Sequence, residues 1–385
     1  MTHLYMLVFP ALLTPLREEL GMTLGEALDL AFLSYLLYGV CALPAGFITD
    51  RWSARWMLVI CLALTGGGAV LAGLCTTPAT LAAALALLGI GASIYHPTGM
   101  ALISRTFVAR RGWALGINGV FGNVGLASAP FITGLLTSLY GWRVAYLALG
   151  GLGLFGALWV AAWSLDERAA EDENVLARGD GGVKRYFVVL CVAMTLGGLA
   201  YRASSVVMPT YFEARATFLV PFAERLLGAG GKIAAATTLT SIVYLVGIVG
   251  QMIGGRIADR RDLRLSYIAL HLGTIPALVA MVWLAELPLL FAAMLYVLFS
   301  LGMQPIENSL VAKLTPPEWR SSAYGLKFVL TFGIGALAVL GVGNIEQRAG
   351  LGAVFGAVVA LEITLVSVAF ALWAMSRTAI PRVAN

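Results

Sequence analysis

The chain has 385 residues, of which 60% are hydrophobic and only 12% charged, with a mean hydropathy of +0.88. A water-soluble domain of this length carries about twice that share of charge, so a soluble enzyme or soluble binding module is excluded. The formal net charge of +5 follows from how basic residues are placed along the chain, described below, and is no argument for nucleic-acid binding.

Apolar runs of about 20 residues recur from end to end, each long enough to cross a hydrocarbon core of about 30 Å. The pattern predicts an all-α membrane protein with twelve transmembrane helices, over 1–16, 27–46, 56–75, 79–104, 113–138, 143–165, 186–211, 233–255, 265–285, 288–312, 321–343 and 351–375. The first run is short, because a helix of that length rises only about 24 Å. Either this helix is shallow or the given start lies inside it. No basic flank or small-residue cleavage site marks a signal peptide. Cys41, Cys61, Cys75 and Cys191 all fall in predicted spans without metal-ligand spacing and read as small packing residues.

Of the 25 lysines and arginines, 17 fall at one set of helix ends and 6 at the other. The richer side is expected to be cytoplasmic, and twelve spans then put both termini there. One polar stretch interrupts the pattern, Asp166 to Arg185 (DERAAEDENVLARGDGGVKR). It divides the chain into a six-helix bundle over 1–165, a cytoplasmic linker over 166–185 and a second six-helix bundle over 186–385. After the seventh span, Phe212 to Lys232 is unusually apolar for a loop. Phe218, Leu219, Phe222, Leu226 and Leu227 have near-helical spacing there, which predicts an interfacial helix.

The two halves repeat each other. Gly46 to Arg55 reads GFITDRWSAR and Gly255 to Arg264 reads GRIADRRDLR, an offset of 209. His96-Pro97 matches Gln304-Pro305, and LISR ending at Arg105 matches LVAK ending at Lys313. Parallel six-helix repeats are the architecture of many secondary transporters. GFITDRWSAR resembles the loop motif between the second and third helices of the major facilitator superfamily, through Gly46, Ile48, Asp50, Arg51 and Arg55; Ser53 and Ala54 depart from it. The copy carries Gly255, Asp259, Arg260 and Arg264 between the eighth and ninth spans, where the family repeats the motif. The resemblance implies two pseudo-symmetric six-helix bundles and a cytoplasmic latch between them. In that latch Asp50 would pair with Arg55 or Arg105, or face a helix N-terminus.

The fifth span places Gly116, Gly125, Pro130 and Gly134 at the spacing of the superfamily's antiporter motif, with Ala129 and Thr133 in place of two glycines. Small residues allow close helix approach and Pro130 bends the helix; the resemblance implies efflux by proton antiport. The fourth span lacks the arginine that many family antiporters carry upstream of its Gly89-Ile90-Gly91. GIGASIYHPTGMALISR and PALLTPLREELGMT are similar to the fosmidomycin-resistance branch. That implies a bacterial inner-membrane exporter of small, anionic or amphiphilic compounds.

Ionisable side chains inside spans are expensive in lipid and mark transport paths. His96, Arg202, Gln304, Glu307, Asn308 and Lys327 are therefore the expected substrate or coupling residues. His96 titrates nearest neutrality, and Pro97 removes a backbone hydrogen bond beside it. Arg202 suits a carboxylate or phosphonate, and Glu307 is a candidate proton carrier. His271 and Glu362 make weaker claims. Tyr5, Asn118 and Asn123 are possible cavity liners, as is His3. There is no nucleotide-binding glycine loop, no catalytic constellation and no metal spacing. The expectation is a monomer without cofactor in the lipid bilayer, moving a small-molecule solute with protons as the energy source and touching no nucleic acid. An uptake symporter and a non-transporting receptor or assembly protein on the same fold are the alternatives.

Overall fold

The computed structural model describes residues 1–22, 24–163, 181–227 and 231–376. The predicted linker up to Asp180 lies outside the described residues. By contact the chain forms two compact units. The first comprises Met1–Val108, Val124–Glu173 and Pro316–Gly333; the second comprises Ala109–Asn123, Asn174–Thr315 and Ile334–Asn385.

The first unit holds α1 (Thr2–Leu20), α2 (Leu24–Val40), α3 (Ala42–Arg51), α4 (Ala54–Leu74), α5 (Pro78–Ser93) and α6 (Tyr95–Thr106). It also takes the later part of α7 (Arg111–Tyr140), α8 (Trp142–Ala162) and α15 (Arg320–Phe328). Local chemistry sets these boundaries. Ser53 caps α4 by accepting from the Trp56 amide at 3.2 Å. Thr77 and Thr80 form a reciprocal cap on α5 with Pro78 in its first turn, where a missing N–H costs nothing. The core is built from Leu12, Leu16, Leu81, Leu85, Leu88, Tyr146 and their neighbours. Tyr5 contributes to it as well, and its hydroxyl donates to the Leu149 carbonyl at 2.6 Å, fixing α1 to α8.

The second unit holds the start of α7, α9 (Gly181–Arg215), α10 (Leu219–Leu227), α11 (Gly231–Arg260), α12 (Leu263–Trp283), α13 (Glu286–Gly302) and α14 (Gln304–Lys313). It also holds α16 (Leu337–Ala349) and α17 (Leu351–Met375). Asp262 caps α12 through the Arg264 and Leu265 amides, at the repeat position of Ser53. Tyr211, Phe212, Leu289, Ala293, Phe355 and Val358 centre the core. The predicted interfacial helix is α10, with exposed Phe218 and Phe222. The Glu286 carboxylate accepts from the Thr217 hydroxyl and from the Phe218 and Leu219 amides. Glu286 itself sits at φ +54°, a backbone disfavoured for a side-chain-bearing residue.

Nine of the predicted spans are helices long and apolar enough to cross a membrane among the described residues. The first, fifth and eleventh spans are the helices α1, α7 and α15 with α16. Several spans are interrupted. The fourth breaks at Ile94, between α5 and α6, and the tenth at Met303, between α13 and α14. Each break precedes a proline in the following first turn, Pro97 and Pro305, as the repeat predicts. The eleventh span carries a π-helical segment, Val329–Ile334, after α15.

Candidate functional site

The aspartates of the repeated motif do one job twice. In the first unit Asp50 is nearly buried, its side chain 2% exposed. It accepts from Arg105 at 2.8 Å, from the Ser321 and Ser322 amides at 3.0 and 2.8 Å, and from the Ser322 hydroxyl at 2.6 Å. The carboxylate thus sits on the N-terminus of α15, where unpaired amides and the helix dipole favour negative charge. In the second unit Asp259 accepts from the Gly112 and Trp113 amides at 2.7 and 2.8 Å, at the N-terminus of α7. Asp259, Gly112 and Trp113 are each displaced by 209 from Asp50, Ser321 and Ser322 in the matching sense of the repeat.

Glycines let the helices come this close. A Cβ on Gly46 would lie 2.3 Å from the Ser321 carbonyl oxygen, and one on Gly255 would lie 2.7 Å from that of Gly112. Gly325 lies against the Ala42 carbonyl and Gly116 against that of Gln251 in the same way. Gly116, read from sequence as part of an antiporter pattern, therefore belongs to this packing. A Cβ on Gly125 would meet His3 and Leu4 only at ordinary contact distance; the surroundings of Pro130 and Gly134 lie outside those described.

The basic residues of the motif divide the work. Arg105 also donates to the Pro317 carbonyl at 3.1 Å. Arg51 lies over the Phe47 and Trp319 rings. Arg55 donates to the Ala161 carbonyl at the end of α8, and its repeat partner Arg264 donates to the Ser376 carbonyl at the end of α17. Arg55 and Arg264 thus tie down the last helix of each half, and the residue pairing with Asp50 is Arg105. Arg260 is exposed. Burial pushes the Asp262 carboxyl up, but the Arg264 guanidinium and the Leu265 amide outweigh it and hold the group below its usual range.

His96 is 5% exposed and sits among rings in the first unit. It stacks on Phe328 with centroids 4.1 Å apart, and Phe332, Tyr38, Tyr95 and His3 surround it at 5.0–6.1 Å. Neither imidazole nitrogen has a hydrogen-bond partner. Lys327 is buried beside Phe328, with its ammonium 5.6 Å from that ring. The break at Ile94 aims His96 into this cluster from the first turn of α6. Unpaired imidazole nitrogens and a buried ammonium among aromatic rings are groups that can interact with a flat or negatively charged molecule.

The second unit carries the other expected residues. Gln251 donates to Gln304 at 2.8 Å. Glu307 and Asn308 are buried on α14, and Tyr267 donates to Glu307 at 2.7 Å. Arg202 is half-buried on α9, near Tyr201 and Tyr244. Asn118 is half-buried on α7, and the buried Asn123 amide nitrogen has no partner. Sequence reading missed Phe328, Phe332, Ser321 and Ser322. The four-residue spacing of the two phenylalanines beside Lys327 was the available signal for the first pair.

The Major Facilitator Superfamily profile matches residues 4–340. The chain belongs to this superfamily. Its members are transporters rather than enzymes, and the fold is the twelve-helix major facilitator fold of two pseudo-symmetric six-helix bundles. The fucose:proton symporter FucP of E. coli superimposes with a TM-score of 0.71 at 15% identity over 96% of each chain. The uncharacterized MFS-type transporter YfnC of Bacillus subtilis is 24% identical over 89% of this chain and 83% of its own. The fosmidomycin resistance protein of Escherichia coli is 29% identical over 36% of this chain and 34% of its own.

Proposed function

We propose that this facilitator exports a small anionic or amphiphilic organic solute across the bacterial inner membrane in exchange for protons. It acts as a monomer with both termini in the cytoplasm, and its halves 1–165 and 186–385 are joined by the linker 166–185. The carrying observation is the pair of motif aspartates, Asp50 and Asp259, each seated on the N-terminus of a helix. These seats join helices of the first half to helices of the second, α3 to α15 and α11 to α7. They are made and broken as access alternates. Solute enters from inside; the candidate contact residues are His96 and Lys327 in the first unit, and Arg202, Gln304 and Asn308 in the second. Proton uptake from outside at His96 or Glu307 resets the cycle. Anion preference is supported by the buried ammonium of Lys327 beside Phe328, and the export direction by the likeness to the fosmidomycin resistance protein.

The test is flux of labelled phosphonates, carboxylates and lysolipids in proteoliposomes with an imposed pH gradient. Export coupling predicts accumulation on the acidic side. Gradient-independent flux rejects coupling, and accumulation on the alkaline side identifies the symport alternative, which the fucose:proton symporter likeness favours. Absence of flux or counterflow for every probe, with ligand-induced thermal shifts retained, identifies a receptor.

A further inference from the structure

A buried acid–base cluster in the second unit is not explained by helix packing. His271 Nδ1 on α12 lies 2.8 Å from Glu362 Oε2 on α17. One turn away, Tyr267 donates to Glu307 on α14, and the Tyr267 and His271 rings meet edge to face with centroids 4.6 Å apart. None of the four residues is more than 2% exposed. His271 Nε2, also buried, has no hydrogen-bond partner.

The repeat supplies an internal control. The α4 helix begins and ends 209 residues before α12, and α8 begins 209 before α17. At the positions of Tyr267, His271 and Glu362 the first half has Leu58, Leu62 and Gly153. At these three positions the first-half helix pair packs without ionisable groups. Burying an ionised carboxylate away from water is costly unless it is paired, so its presence beside a histidine calls for a use.

We propose that the His271–Glu362 pair is a further proton-binding site, set between helices α12 and α17 and additional to His96 and Glu307. A carboxylate only accepts, so Nδ1 carries the hydrogen toward Glu362 and Nε2 holds the free lone pair. A proton from water adds to Nε2, which turns imidazole into imidazolium and takes the pair from −1 to zero. Release is the reverse, and no other bond changes. Tyr267 is a positioning residue: its ring packs edge-on against the imidazole while its hydroxyl donates to Glu307. Other groups face the cluster from neighbouring helices: the Cys191 thiol of α9 toward Glu307, and the Tyr296 phenol of α13 toward Glu362. Arg202 of α9 acts on Tyr201 and on Tyr244 of α11. Arg264, two turns from His271, is engaged with Asp262.

The inference rests on the transport reading for its purpose, but proton binding can be read without any solute. The full chain, labelled with 15N-histidine and held in lipid nanodiscs, has three histidines, and His271→Asn assigns the relevant resonances. The expected result is uptake of a proton at His271 Nε2 as the pH is lowered over the range in which the protein stays folded, with that step lost in Glu362→Gln. A His271 ring fixed in one state throughout overturns the proposal, as does an unchanged titration in Glu362→Gln. If that variant does not fold, the wild-type titration decides. Failure of gradient-driven flux with an intact His271 titration rejects the coupling reading and leaves the proton site standing.

Discussion

Replacing Asp50 by Asn keeps the shape of the side chain and removes its charge. The carboxylate accepts from one guanidinium, two amides and one hydroxyl, all within 3.0 Å. Hydrogen bonds to a charged group are each worth about 1.5–3 kcal/mol, against about 1 for neutral ones. Asparagine also turns one acceptor into a donor facing Ser322. A loss of about 2 kcal/mol is a conservative sum for the seat on α15, equivalent to about 30-fold in the open population. Hydrogen–deuterium exchange reads this directly, because the Ser321 and Ser322 amides are the groups released. Their exchange should rise about 30-fold in Asp50→Asn, while the Gly112 and Trp113 amides, seated on Asp259, serve as the control and stay near the wild-type rate. Wild-type exchange at Ser321 and Ser322 in this variant would refute the reasoning, and so would an equal rise at both seats.

Arg105→Ala should be more harmful than Arg51→Ala, because it leaves the Asp50 carboxylate buried without its cation at a cost of about 3–5 kcal/mol; thermal melting in detergent checks the order. Gly46→Ala and Gly255→Ala should each cost about 1–3 kcal/mol by forcing a methyl into a backbone carbonyl. Gly67→Ala, with nothing within 4 Å of the added carbon, should gain up to about 1 kcal/mol from helix propensity, and all three are read by the same melting assay. At the C-terminal end of α1, the Trp142 indole and then Arg143 hold the Glu19 carboxyl below its ordinary 4.5. The folded state therefore binds this proton more weakly. The contribution is full above about pH 4.5 and fades as the pH falls through the folded value. Glu19→Gln should flatten that part of the melting-temperature profile, and an unchanged acid limb would contradict it.

Much of the architecture is legible in the residues. Span length follows from apolar runs, and the offset of 209 carries α4 onto α12 and Asp50 onto Asp259 because both copies solve the same packing problem. Arg55 shows the limit. The motif places it near Asp50 in sequence, but the chain turns at Ser53 and sends the guanidinium to the Ala161 carbonyl. The Ser321 and Ser322 seats were illegible because they are backbone amides, which any residue supplies. The ring cluster around His96 comes from helices distant in sequence, and periodicity within one helix cannot report it. Tyr5, expected as a possible cavity liner, borders a small cavity with Phe9, Ser34 and Tyr35 while its hydroxyl donates to the Leu149 carbonyl.

The π-helical turn at Val329–Ile334 stores one residue more than an α-helix needs. Expelling that surplus would turn everything beyond it by about 100°, like a screw released by a single thread. Phe332 rides on the turn and Phe328 precedes it, so one ring could swing away from the imidazole while the other stays stacked, with the main chain unbroken.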